Sequence, residues 1–189
     1  MIKVKKAKIS KICQGDIIRD FEYPEFKIKR NGLLDISKFK FPLIIVLTQD
    51  CDLEQDHISR REDKKNQDKY LISVLVAPIY NYEHFLLGQH LSETGFTSGP
   101  FSSSKTKKKM LKDNQIPRYH YLEFPENIEL VPGIIDFKHY FSVNIKYLED
   151  NKKKHFVCKV SELFREDVSN RFANFLSRIG LPKVIKKEK

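Results

Sequence analysis

At 189 residues the chain is sized for one large domain with room for an insertion. A composition of 40% hydrophobic and 32% charged residues, with 14 Phe and 8 Tyr, suits a globular fold, and no apolar run approaches the roughly 18 residues a bilayer span requires. The formal charge of +10 favours a polyanionic partner, nucleic acid above membrane, because Lys and Arg that neutralise phosphates gain from counterion release; the alternative is a Lys-rich, solvated surface.

Residues 2–13 alternate weakly and predict a first strand or extended arm, without the apolar core of a secretory leader. Gly15-Asp16 reads as a turn. Ile17 to Phe21 is extended, and Phe26 to Arg30 alternates apolar and basic side chains up to Asn31-Gly32, a hairpin signal that makes Leu33 to Ile36 the returning strand. Residues 42–49 then form an apolar, β-branched run of the kind buried on both faces of a sheet. It ends in Asp50-Cys51-Asp52, which this pattern places on a loop at the strand exit or at the cap of a helix.

The mixed-charge residues 54–69 predict an exposed helix or loop, and residues 70–80 a second buried strand that Pro78 should end or place at an edge. Residues 81–117 read as an insertion: a helix over Tyr82 to Glu93, a Gly/Ser/Thr loop over 94–104, and a basic segment from Lys105 to Lys109. Arg118 to Leu122 returns to the body, Pro132-Gly133 turns, and the odd positions from Ile135 to Tyr147 predict one long half-buried strand. Residues 150–154 would be a hairpin turn leading to a strand with Phe156, Cys158 and Val160 inward. Ser161 is the candidate cap of a last helix whose stripe is Phe164, Val168, Phe172, Phe175, Leu176 and Ile179, stopped by Gly180 and Pro182 before a basic tail, 183–189, expected to be disordered. The whole is mainly β, of α+β class, in one domain.

Three constellations carry chemistry. Cys51 is a candidate nucleophile of a hydrolase or transferase, with Asp50 and Asp52 beside it and His120 or His139 as base; flanking carboxylates disfavour a thiolate, and His139 on an apolar face also reads as a core histidine. Asp50 and Asp52 form an Asp-x-Asp pair that could hold Mg²⁺ with Glu54 or Asp136, although the pattern arises often by chance. The spacing of Cys13, Cys51 and Cys158 suits neither a disulfide framework nor a zinc site, so no resident cofactor is expected. Arg118, Tyr119, His120 and Tyr121, with Arg165, Arg171 and Arg178 on the last helix and Lys107 and Lys108 in the insertion, make a basic, aromatic-interleaved set suited to single-stranded RNA. The competing reading makes the tyrosines core and the arginines partners of carbonyls and carboxylates.

Gly15-Asp16-Ile17-Ile18, Pro42 to Thr48 and Val74 to Ile79 together resemble the MazF/PemK (Kid-like) superfamily of prokaryotic toxin endoribonucleases, over about a third of the chain. The resemblance implies an SH3-like β-barrel with a terminal helix, an RNA partner, a toxin–antitoxin or antiviral defence setting and a cytoplasmic location. It also marks a departure. The family's catalytic arginine falls at Phe41 and its catalytic Ser or Thr at Tyr80, and Lys40 close by cannot reproduce a bidentate guanidinium clamp. Nucleic-acid binding is therefore expected ahead of cleavage, with a non-catalytic subunit bound to a protein partner or a homodimer as the remaining class.

Overall fold

The computed structural model describes residues 4–5, 11–62 and 67–178. Its frame is one antiparallel sheet of eight strands curled into a half-barrel, with helices packed on it, so the protein is α+β with a mainly β core. Strands β1 (Val4–Lys5), β2 (Asp16–Ile28), β3 (Leu34–Val46), β4 (Val74–Asn81), β5 (Tyr119–Leu122), β6 (Gly133–Asp136), β7 (Phe141–Val143) and β8 (Phe156–Val160) lie in the order β1-β8-β2-β3-β4-β6-β5, with β7 also paired to β4. The β2–β3 hairpin forms at the predicted turn. Gly32 takes a left-handed φ of 79°, its N–H donates to the Lys29 carbonyl at 2.9 Å, and the Asn31 side chain accepts from Leu33 N at 3.2 Å.

Both faces of the hairpin's base are buried. Ile17 and Ile45 pair across the strands and point into one apolar cluster, while Ile18 and Ile44, one residue along, point into the other. Helix α5 (Glu162–Leu176) covers the first face with Val168, Phe172 and Phe175, each burial contributing about 2 kcal/mol. Helix α4 (Ile145–His155), through Ile145 and Leu148, and α1 (Asp50–Arg61), through Leu53, cover the second. Cys158 is fully buried, as its strand pattern indicated. Ser161 holds the N-cap position of α5 without a side-chain hydrogen bond, and Leu176 is half exposed. Ile179, Gly180, Pro182 and the tail 183–189 lie outside the described residues.

Several expectations are corrected, each for a local reason. For Asp50-Cys51-Asp52, expected on a loop or at a helix cap, the helix end holds: the three residues are the first turn of α1, where carboxylates meet the positive end of the helix dipole. The segment after it is not wholly exposed, because Asp56 is buried and accepts from Arg60 Nε at 2.9 Å and Leu71 N at 2.6 Å. Pro78 lies inside β4, in the gap where β7 pairing stops at Val76 and β6 pairing starts at Ile79. The long strand over 135–147 does not form. The Asp136 side chain accepts from Lys138 N to start a 3₁₀ turn at Phe137–His139, and Asn144 accepts from Lys146 N and Tyr147 N to start α4, so two side-chain caps override the alternation. Residues 150–154 are consequently helix, not a hairpin turn.

The inserted region supplies α2 (Tyr82–Leu87) and α3 (Lys105–Lys112). Tyr82, Phe85 and Leu111 pack with Tyr121 and Ile134 as a satellite cluster over β5 and β6. The helix expected to reach Glu93 stops early, at Gly88. That residue has a left-handed φ of 74°, and a Cβ there would meet the Gly99 backbone at 2.6 Å.

One polar contact ties these layers together. Lys152 on α4 and Asp16 at the start of β2 are 2% and 1% exposed, with Nζ 2.6 Å from Oδ2. The ammonium also donates to the Lys11 carbonyl at 2.5 Å, and Cys13 N donates to the same carboxylate oxygen at 2.7 Å. Burial pushes the Asp16 carboxyl up, against the pull of Lys152. Removing one partner strands the other charge in the core, so Lys152→Met is expected to cost about 3–5 kcal/mol in urea unfolding. In an Asp16→Asn background the same substitution should cost clearly less; equal losses in both backgrounds would show that the pair is not coupled.

Candidate functional site

The Asp50 carboxylate is fully engaged. One oxygen accepts from Gln14 N at 2.7 Å; the other faces Lys159 Nζ at 3.3 Å and the Arg165 guanidinium. Gln14 in turn donates to the Leu47 carbonyl at 3.2 Å and reaches the Ser169 hydroxyl. The β3 exit is thereby fastened to β8 and α5. Cys51 is exposed, with Sγ 3.6 Å from Gln49 Oε1 and 3.7 Å from Asp52 Oδ1. It opens on a cleft of about 660 Å³ whose wall, among the described residues, carries no histidine.

His120 is elsewhere, on β5, 3% exposed and tilted against Phe137 at 6.3 Å. Burial, helped by the neighbouring charge of Arg171, pushes its pKa down to about 3. A neutral imidazole with an unpartnered, buried Nδ1 among the described residues is a core group rather than a base for Cys51. Of the carboxylates expected for Mg²⁺, three are held by separate cations, Asp50 by Arg165, Glu54 by Lys11 and Asp136 by Arg118, while Asp52 is exposed beside Cys51.

A second cluster forms where β4, β6 and the start of β5 meet. Asp136, fully buried at the end of β6, takes a two-point contact from Arg118, Nε to Oδ1 at 2.8 Å and a terminal nitrogen to Oδ2 at 2.5 Å. His139 Nδ1 lies 3.5 Å from Asp136 Oδ2 and 3.0 Å from the Tyr80 hydroxyl. Burial pushes the Tyr80 hydroxyl up and the His139 imidazole down, so both favour their neutral forms and the ring nitrogen can accept a hydrogen bond from the tyrosine hydroxyl. The His90 ring stands edge-on to Tyr80 at 5.0 Å and against Phe85 at 4.9 Å; burial lowers its pKa too, and its Nδ1 has no partner among the described residues.

Tyr80 and His90 open into a pocket of about 280 Å³ whose wall includes Lys40, Phe41, Pro42 and His84. β3 contributes the first part of this wall, β4 provides Tyr80, and α2 with the turn after it provides the histidines. Rings line it and a lysine stands beside them, an arrangement that can stack one planar group and face an anion.

The residues expected to bind nucleic acid are spread and mostly engaged. Arg171 donates to the carbonyls of Ile116 at 3.0 Å and Tyr119 at 2.8 Å, and Arg178 donates to the Phe175 carbonyl at 2.6 Å while lying over its ring. Tyr119 has Arg118 5.0 Å over its ring and meets Phe85 edge-on at 4.9 Å, while Tyr121 packs edge-on to Tyr82. Lys107 and Lys108 lie on α3 with Lys105, Lys109 and Lys112, a basic helix anchored by buried Leu111. The pocket was missed as a unit. Its residues lie on β3, β4 and the α2 turn, far apart in the chain, and no local pattern joins them; Asp136 and His139, expected in other roles, stand behind Tyr80.

No protein-family model matches this sequence, and no curated protein matches it significantly.

The state of His120 sets a pH dependence. The unfolded chain takes up a proton near the ordinary imidazole value of 6.5, whereas the folded chain resists until about 3, so stability is present above 6.5 and is lost as pH falls through that window. Urea unfolding at pH 7 and pH 5 should differ by roughly 2 kcal/mol from this group alone. A His120→Leu chain should lose that part of the pH dependence; an unchanged difference would remove His120 as its source.

Proposed function

We propose that this chain binds single-stranded nucleic acid, RNA above DNA, through the Tyr80 pocket and the lysines around it. The observation that carries the reading is the convergence of Phe41, Pro42 and Tyr80 with Lys40, His84 and His90 on one ring-lined pocket of about 280 Å³. A single unstacked base fits such a wall, and a phosphate beside it meets Lys40, whose side chain is 59% exposed and 3.4 Å from Asp20. The imidazole of His84 and the amide of Gln89 stand on the same wall as hydrogen-bonding groups for a ribose 2′-hydroxyl. The basic helix α3 adds diffuse phosphate attraction.

On this reading the half-barrel is an SH3-like barrel closed by a C-terminal amphipathic helix, and the resemblance to the MazF/PemK toxins extends to an RNA partner and a role in a prokaryotic toxin–antitoxin or defence system. Binding rather than cleavage is the proposed activity, because Phe41 and Tyr80 stand where that family keeps its arginine and its Ser or Thr. A phenol whose hydroxyl is bound to His139 and pushed up by burial is a poor substitute for either.

Anisotropy of a labelled single-stranded RNA, titrated over a salt series, tests the proposal. Binding at low salt should weaken steeply with salt, and Lys40→Ala should lower affinity about tenfold and reduce the log–log slope by about one. His84→Ala, at an exposed position, should weaken RNA more than DNA of the same sequence. Absence of binding at low salt, or identical titrations for wild type and Lys40→Ala, overturns the proposal.

A further inference from the structure

The β2–β3 hairpin runs well past the part of the sheet that the helices cover, and residues 26–38 are all exposed. The register pairs Phe26 with Ile36 and Ile28 with Leu34, so these four side chains share one face of the ribbon. They are 61%, 58%, 80% and 58% exposed in that order, and Leu33 at the turn is 62% exposed. The opposite face is polar over the same length, with Lys27 bound to Glu25 at 2.9 Å and Lys29 to Asp35 at 3.5 Å. Nearer the base the polarity inverts. Tyr23 and Phe39, on the face that is polar at the tip, pack into the core against Phe141, while Glu22 and Lys38 bind at 2.7 Å on the face that is apolar at the tip.

A two-stranded ribbon is marginal in water by itself, and an apolar ladder this continuous marks a surface that something covers. Charge limits the occupant. Residues 20–40 hold five basic and four acidic residues, a net of +1 against +10 for the whole chain, and all four lysines among them are bound to acids of the arm itself. Nucleic acid finds more positive charge on the lysines of α3 than on the tip of the arm, and four of the five exposed side chains of the ladder are branched aliphatics that offer it no flat face. A second copy of the arm meets no large repulsion there. The five exposed side chains present on the order of 500 Å² of apolar surface, so pairing two arms would withdraw on the order of 1,000 Å², the size at which specific interfaces begin.

We infer that the apolar face of the β2–β3 arm is a self-association surface, on which a second copy of this chain docks its own arm about a two-fold axis. Such an interface is isologous: each ladder meets its own image, with Phe26 and Ile28 near the centre. It is separate from the Tyr80 pocket, and its test does not depend on RNA binding.

Sedimentation of the full-length protein, nuclease-treated and in high salt so that no bound nucleic acid can bridge copies, should show a concentration-dependent dimer. Introducing Ile28→Glu with Ile36→Glu should raise the dissociation constant at least about 30-fold. Both sites are exposed in the single chain, so its circular dichroism and melting should be retained. In a Cys51→Ser background, which leaves the buried Cys13 and Cys158, an Ile28→Cys chain should form a disulfide-linked dimer on mild oxidation. A wild-type chain that stays monomeric at high concentration overturns the inference, whether residues 179–189 or an unrelated protein then cover the ladder. So does a dimer that survives the paired glutamates.

Discussion

The contact on which the rest of the structure depends is the ion pair between Lys152 and Asp16. An ammonium and a carboxylate are both withdrawn from water there, which is tolerable only because each has further partners, the Lys11 carbonyl for one and the Cys13 amide for the other. The pair fixes the start of β2 against α4, and everything on that face of the sheet is placed relative to this joint. Apolar packing sets how tightly the layers meet. The ion pair selects which residues meet, because a one-residue slip of β2 or a rotation of α4 would leave a buried charge alone.

A sheet covered on both faces has to present its chemistry at its margins, and this one does so at two of them. At the β3 exit, the Asp50 carboxylate is taken up by Gln14, Lys159 and Arg165, and Cys51 is left exposed on a cleft whose wall carries no histidine among the described residues. Where β4 exchanges β7 for β6, the pairing gap around Pro78 precedes Tyr80, and that residue reaches His139 and His90. Of these two, among the described residues, the second keeps a ring-lined space open. The first uses charge to fasten elements together.

What was legible in the sequence follows the physics of each signal. The Asn31-Gly32 turn, the apolar run at the end of β3 and the buried Cys158 rest on local geometry or on long unbroken patterns, and they appear in the fold. The 135–147 segment was misread because period-two alternation cannot register a side chain that caps the backbone, and Asp136 and Asn144 both do so. Lys152 was invisible for another reason. It sits in a run of three lysines, and only the α4 helix, hidden by the same misreading, turns one of them inward. The site was legible in pieces: Asp136, His139 and Tyr80 each drew notice, but their meeting requires the β4–β6 register and the 3₁₀ turn, which depend on tertiary pairing.

The backbone contact at Gly88 bears on how the pocket can change. The end of α2 rests directly on residues 98 and 99, with Phe101 N bonded to the Leu86 carbonyl at 2.9 Å, and the chain then runs straight on to Gln89 and His90 in the pocket wall. The distance of that wall from Tyr80 is therefore set by main chain resting on main chain, and side-chain size has little hold over it. Exchanging residues at 84 or 90 changes the groups and the room on the wall, whereas lengthening or shortening the 95–101 segment moves the wall itself. A change in the length of the 95–101 segment would therefore be felt at Tyr80 through the backbone, without any residue of the pocket being exchanged.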